Sequence, residues 1–288
     1  MASTPARRAL TVLLFTAMLA PAACKSAGPD PIFAEPGPSP SPSVTASPSP
    51  SPSPSAPPSP SPTVKPVTVK NLQWYLSQVP TFLPAPPPQR VHLPESSSAV
   101  FWFGVPTDHP VAFITIDDGA LSRRPEVVEF IRQAKIPVTL FLNSPAATQH
   151  TAYFKAIQDA GGMIENHTIS HTSLKGKSYD FQKKEICGSA DKLEQLFGRR
   201  PTLFRPPFGN RDATTLKAAR DCGAVAVFYW TQTVDKGRVR YQTADKVVKR
   251  GDVLLMHFRP ALMDDLLAAL KAIHRSGLTP ALLEDYVG

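Results

Sequence analysis

The sequence predicts an α/β fold on a parallel sheet for about its last two-thirds, and three observations carry that expectation. From Val111 onward, short β-rich runs alternate with stretches of helical periodicity, the pattern of strand–helix units whose strands lie parallel. The polar residues that stand out, Asp117-Asp118, His167, Arg205 and His257, each follow such a run. In a parallel barrel or an open doubly wound sheet, ligands gather at the C-terminal ends of strands, so this pattern leaves the two architectures open. Finally, 17 of the 33 prolines fall in the first 70 residues, which sets that part of the chain apart from the globule.

The elements follow in order. Val111–Ile116 reads as a strand ending in Asp117-Asp118-Gly119. Pro125 then opens a helix with Val127, Val128, Ile131 and Ala134 at helical spacing. Val138–Leu142 is the next strand. Tyr153–Ala160 is helical and stops at Gly161-Gly162. Met163 and Ile164 begin a strand that runs into Glu165-Asn166-His167. Asp180–Phe197 is a long helix with Cys187, Ala190, Leu193 and Phe197 on one stripe, ended by Gly198. Leu203-Phe204 is a short strand before Arg205-Pro206-Pro207. Asp212 is placed to cap a helix that ends near Cys222-Gly223. Val225–Trp230 and Val253–Met256 are apolar strands, and a last helix runs from Leu262 to His274.

The N-terminus reads as an export segment over residues 1–23. Arg7 and Arg8 precede the apolar stretch Ala9–Ala20, short for a membrane span but suited to a signal-peptide core. Pro21-Ala22-Ala23-Cys24 resembles a bacterial lipoprotein processing site with Cys24 as the lipidated residue; Pro21 departs from the usual Leu, Val or Ile there. The expectation is an exported protein tethered to the membrane through lipid on Cys24, with simple secretion or a retained anchor as alternatives. Residues 24–70 are a Pro/Ser-rich linker. Thirteen of the 31 positions from Pro36 to Pro66 are proline, too little apolar surface to offset ordering entropy, so a disordered, extended stalk is expected. Residues 71–107 hold Trp74, Tyr75, Phe82, Phe101, Trp102 and Phe103 among many prolines. They are expected to form an irregular collar that packs on the domain or lines a cleft.

Charge excludes more than it assigns. The net charge is +8 overall, and residues 108–288 carry 25 basic and 20 acidic side chains. The bases are scattered and lack interleaved aromatics, so no nucleic-acid partner is indicated, and nothing in the sequence points to a protein partner. With Cys24 set aside, Cys187 and Cys222 remain, an even number on two consecutive helices. A disulfide between them is expected, with two buried thiols as the alternative.

Asp118, His167 and His171 form a candidate two-His-one-carboxylate metal site. The His167-Thr-Ile-Ser-His171 spacing brings both imidazoles to one side if the segment turns like a helix, and N,N,O ligation leaves coordination positions open. Taken singly, each motif has a plainer reading: surface histidines, an acidic turn, a salt-bridged arginine, a core histidine. Taken in order, Thr115-Ile-Asp-Asp-Gly119, His167-Thr-Ile-Ser-His171, Arg205-Pro-Pro-Phe-Gly209 and Leu255-Met-His257 resemble four of the five motifs of the polysaccharide deacetylases, the NodB-homology domain of carbohydrate esterase family 4.

The resemblance covers about residues 105–285 and places the catalytic domain at 108–288. It implies a distorted (β/α) barrel and metal-dependent removal of acetyl groups from an acetylated glycan. By resemblance Asp118, His167 and His171 hold the metal, Zn2+ by their chemistry, with Co2+, Ni2+ or Mn2+ able to substitute. Asp117 is implied as the base, Arg205 as its orienting partner, the Phe208 backbone N–H as oxyanion donor and His257 as the acid. Trp230 is read as groove wall or core. Two positions depart from the pattern. Phe208 stands where tyrosine is frequent. In Trp230-Thr-Gln-Thr-Val-Asp235, Thr233 occupies the place of an aspartate that supports the acid histidine, and Asp235 is near but out of register. The expected activity is N-deacetylation of a cell-envelope glycan, with O-acetyl ester hydrolysis or glycan binding with weak catalysis as alternatives.

Overall fold

The structure, a computed structural model, describes residues 70–287. The export segment, Cys24 and the Pro/Ser-rich stretch lie outside the described residues. Among those described, no helix is long and apolar enough to cross a membrane.

The strands are β1 (Val100–Trp102), β2 (Val111–Asp118), β3 (Val138–Leu142), β4 (Met163–Asn166), β5 (Leu203–Phe204), β6 (Ala226–Phe228), β7 (Gln232–Asp235), β8 (Arg238–Tyr241), β9 (Val253–His257) and β10 (Thr279–Ala281). The helices are α1 (Leu72–Ser77), α2 (Pro125–Gln133), α3 (Ser144–Gln149), α4 (Thr151–Asp159), α5 (Tyr179–Phe197), α6 (Ala213–Asp221) and α7 (Leu262–Arg275). The sheet runs β1-β6-β5-β4-β3-β2-β9-β7-β8, with β10 beside the first half of β2. Every pairing is parallel except that of the β7–β8 hairpin.

The sheet curls toward a barrel whose seam is made by loops. Beyond β1, the Val105 amide donates to the Gly251 carbonyl at 2.8 Å, and beyond β6 the Thr231 amide donates to the Val253 carbonyl at 2.9 Å. Gly251 has φ 78°, and a Cβ there would overlap the Val105 carbonyl oxygen. Only glycine allows that approach at that backbone angle. The barrel is therefore distorted in a definite way: the Thr231 bond only extends the β7–β9 pairing, and past β1 a single hydrogen bond to Gly251 stands in place of a ladder to β9.

Period-two alternation sorts the core. On β2, Val111 and Phe113 join Phe141, Leu203, Phe228 and Val253 in an inner cluster, whereas Ala112, Ile114 and Ile116 pack outward with α2, α4 and α7. The third inward position is Thr115 and the fourth is Asp117, both buried, so the inner face turns polar toward the strand C-termini. The apolar positions of α2 at 127, 128 and 131 are buried as the periodicity predicts. Asp212 and Thr215 form a capping box at the start of α6, and Gly198 ends α5 in the left-handed region. The Cys187–Cys222 disulfide links α5 to the end of α6.

Residues 71–107 are more regular than the proline content suggests. They supply α1, capped by the Asn71 side chain, and β1, which extends the parallel sheet beyond β6. Between these the chain crosses the N-terminal end of the barrel, where the Val91 amide donates to the Tyr286 carbonyl and Thr279 Oγ1 to the Leu83 carbonyl. The periodicity also does not reveal α3, the β7–β8 hairpin or β10, and Val225–Trp230 shortens to the three residues of β6.

Candidate active site

The strand C-termini bring the motif residues together. Asp117 is the last inward residue of β2 and is the register partner of His257 on β9. Alternation alone would send Asp118 to the outer face. Instead Asp118 has φ 78°, a left-handed conformation that costs a non-glycine residue about 1–3 kcal/mol. The Asn143 amide, donating to the Asp118 carbonyl at 3.1 Å, helps to hold that turn. The reversal delivers two neighbouring carboxylates to one centre.

The two histidines reach the same centre without a helix. The segment from His167 to His171 is irregular, contrary to the helical turn that would align them by spacing. Thr168 and His171 have φ 73° and 55°. The loop is pinned instead by side chains: Asn166 Oδ1 accepts from the Thr168 amide, Thr168 Oγ1 from the His171 amide, and Glu185 Oε2 from the amides of Ile169 and Ser170. Asn143 Nδ2 donates to the His167 carbonyl. These polar contacts override the local i,i+4 expectation because they satisfy the loop's backbone donors individually.

The resulting donor set is compact. One ligand atom each from Asp118, His167 and His171 lies within 4.8 Å of the others. His167 Nε2 and His171 Nε2 stand 3.5 and 3.3 Å from Asp118 Oδ1. His167 Nδ1 is 2.7 Å from the Arg205 carbonyl, which fixes Nδ1 as the protonated nitrogen and leaves Nε2 its lone pair. Asp118 Oδ1 is buried without a hydrogen-bond partner. An orphaned buried carboxylate oxygen facing two imidazole nitrogens fits a divalent cation, and its N,N,O chemistry fits zinc.

The electrostatics agree. Burial raises the Asp118 carboxyl, but the imidazoles of His167, His257 and His171 outweigh it and hold it below its ordinary value. Burial and the neighbouring His167 hold His171 below the usual imidazole value, against the pull of Asp118 and Asp117. Both shifts favour the ligating forms.

Arg205 is fully buried. Its Nη1 donates to Asp117 Oδ1 at 2.6 Å and to Thr115 Oγ1 at 2.8 Å, its Nη2 donates to the Tyr229 carbonyl at 2.9 Å, and its guanidinium stands 4.2 Å from the Phe141 ring centre. Asp117 is thereby held in one orientation. Phe208 has φ 58° and sits 61% exposed, with its ring 4.6 Å from that of His171. Its backbone N–H has no partner among the described residues. Trp230 is half-buried and stacks on Tyr229 at the rim.

Among the described residues, no carboxylate is hydrogen-bonded to His257. Burial lowers its pKa, Asp117 and Asp118 oppose, and Arg259 and His167 add to the lowering. Thr233 pairs with Leu255, two residues short of His257. Asp235 is engaged by Arg259 at 3.2 Å and Arg240 at 3.4 Å. Sequence reasoning missed Asn143, Asn166 and Glu185, whose roles depend on tertiary contacts; only their polarity beside apolar runs marks them.

The polysaccharide deacetylase family model matches residues 104–227. SCO4760 of Streptomyces coelicolor is 39% identical over 188 residues, covering 64% of this chain and 75% of that protein. A peptidoglycan-N-acetylglucosamine deacetylase of Bacillus cereus is 29% identical over 163 residues, covering 55% and 59%. Among solved structures, BA3943, a CE4 family pseudoenzyme from Bacillus anthracis, superposes with TM-score 0.58 at 18% identity over 65% of this chain and 69% of that one, a likeness of fold alone. With its motifs assembled at one rim of the barrel, the chain belongs to the polysaccharide deacetylase family of enzymes.

Proposed function

We propose that the chain removes N-acetyl groups from a cell-envelope glycan, peptidoglycan or a chitin-like polymer of N-acetylglucosamine. The observation that carries this reading is the convergence of the Asp118, His167 and His171 donors beside an Asp117 locked by Arg205, with His257 on the adjoining strand. A divalent metal held by those three residues supplies Lewis acidity, lowering the pKa of water and polarising the acetyl carbonyl. Asp117 accepts the proton of the attacking water, and Arg205 keeps its second oxygen free to do so. The tetrahedral oxyanion takes a hydrogen bond from the Phe208 N–H, which the left-handed turn leaves unpaired. His257 gives a proton to the departing nitrogen as the C–N bond breaks, so water is consumed and acetate and a free amine are formed. The export segment and Cys24 support a membrane-tethered protein acting outside the cell, a proposal that rests on sequence alone.

The test is acetate release from chito-oligosaccharides and from peptidoglycan by the zinc-loaded protein. Asp117→Asn is expected to keep the metal and lose about 10²–10⁴-fold in turnover; near-normal turnover excludes Asp117 as the base. Faster cleavage of acetate esters than acetamides replaces this reading with an O-acetyl esterase. Glycan binding without acetate release replaces it with a binding domain.

A further inference from the structure

The rim beside the site carries a cation that has no counter-charge among the described residues. Arg211 lies three residues after Phe208, yet among the described residues it makes no ion pair and no hydrogen bond. Its guanidinium carbon sits 3.2 Å from the centre of the Phe101 ring, and its Nε is buried without a partner. Burial holds its pKa below the ordinary guanidinium value, and only the Tyr229 hydroxyl opposes. Several other arginines are paired: Arg199 meets Glu165, Arg200 meets Asp191 and Glu194, and Arg259 meets Asp235. Stacking on Phe101 fixes the plane of the guanidinium and leaves its Nη edge to a planar acceptor from outside.

This cation ends a line of rings that begins at the metal site. His171 contacts Phe208, and the next residue, Gly209, lies where a Cβ would overlap the Tyr229 ring. Tyr229 stacks on Trp230 at 3.8 Å and meets Phe103 at 5.0 Å, and Phe103 meets Phe101 at 5.3 Å. Phe103 is 52% exposed. Apolar ring faces of this kind suit the C–H face of a pyranose, and they continue directly from where the acetyl group would react.

We propose that Arg211, with Phe101 and Phe103 of the collar, forms a subsite for a carboxylate-bearing sugar next to the acetamido sugar that is cleaved. This rests on the deacetylase reading and narrows it from acetylated glycans in general to anionic ones. The carboxylate has two sources, a lactyl ether on the neighbouring hexosamine or a uronic acid, and the subsite recognises the chemistry they share.

The experiment compares binding and turnover on three probes: peptide-free peptidoglycan glycan strands, hyaluronan oligosaccharides and neutral chito-oligosaccharides. Wild type is expected to favour one or both acidic probes, with the preference shrinking as salt rises. Which acidic probe gains more identifies the source of the carboxylate. Arg211→Gln is expected to weaken binding of the favoured acidic probe by about 10–100-fold, the range of a charged hydrogen bond, and to leave chito-oligosaccharide binding and turnover unchanged. Arg211→Lys should recover part of the acidic preference. Equal loss on all probes, or no loss on the acidic ones, overturns the subsite. Binding is measured separately from acetate release, so failure of the deacetylase reading shows as acidic preference without turnover, and failure of the subsite shows as turnover without acidic preference.

Discussion

The pairing of Arg205 with Asp117 yields the sharpest test of how the site is held. Both groups are buried, Arg205 to 0% and Asp117 to 2% exposure, and the guanidinium donates to Asp117 and Thr115 and to the Tyr229 carbonyl. Arg205→Met keeps much of the side-chain volume against Phe141 but leaves a buried carboxylate and two acceptors without donors. Breaking a buried ion pair from one side costs about 3–5 kcal/mol. For a domain of this size that corresponds to a fall in Tm of about 6–20 °C, at roughly 2–4 °C per kcal/mol. Asp117→Asn is milder, about 1–3 kcal/mol, because its amide oxygen still accepts from Arg205. The double variant buries no charge at this point, so its loss should fall short of the sum of the singles by about 2 kcal/mol. The assay is urea unfolding of the four proteins in EDTA, which separates the pair from metal binding. Additive losses would refute the argument, since they would mean that the two charges are screened from each other by water that the structure does not admit.

Further outcomes follow from other residues. His167→Ala or His171→Ala should abolish stoichiometric zinc binding, read by metal analysis after dialysis, with the circular dichroism spectrum unchanged; retained zinc in either variant removes that residue from the ligand set. Arg259 helps to hold the His257 pKa down, and a general acid must be protonated. Arg259→Gln should therefore move the alkaline limb of the pH–rate profile upward, as should Thr233→Asp if its carboxylate reaches the imidazole; a downward shift contradicts the assignment of His257 as acid. Inside the barrel, burial and the nearby Glu165 carboxylate push the Glu284 carboxyl up to about 8. A carboxyl raised on folding contributes stability at acid pH that is lost as pH climbs from the unfolded value through the folded one. Wild type should thus lose stability across roughly pH 4.5–8, and Glu284→Gln should flatten that slope in denaturant titrations; an unchanged slope would show that Glu284 ionises freely. Cys187→Ser should cost about 3–4 kcal/mol through the 35-residue loop, measured under oxidising conditions; stability unchanged from wild type would mean that the bond adds nothing.

The sequence makes the strand–helix alternation and the motif residues legible because both are local signals. Val138–Leu142 and Leu203–Phe204 are the strands observed. Asp212 and Gly198 end their helices through side-chain and backbone chemistry that needs no partner. What the sequence hides depends on distant chain. The imidazoles of His167 and His171 meet through a loop tied by Asn166 and Glu185, not through a helical turn. Asp118 faces the site only because its backbone leaves the strand conformation. The strand Val100–Trp102 looks like part of an aromatic, proline-rich run until β6 offers it an edge. The carboxylate partner sought for His257 is another such case: Asp235 is close in sequence, yet Arg259 and Arg240 claim it.

The collar that crosses the barrel's N-terminal end also sets an order on folding. Lys70 and Tyr75 bond Asp264, 194 and 189 positions away, and Leu83 accepts from Thr279 across 196. None of these contacts can form until α7 and the segment after it exist. Helix α1 can rest on α2 through Tyr75 and Phe130, whereas the stretch from Leu83 to Val91 docks only on chain that follows α7. Contacts of such sequence separation make closure slow relative to the strand–helix units. The same stretch leads directly into β1, the strand that brings Phe101 and Phe103 to the rim. Trimming the last few residues, including Tyr286, which holds Val91, should therefore loosen an N-terminal segment. Protease sensitivity would then appear at Leu83–Leu93, at the opposite end of the sequence from the cut.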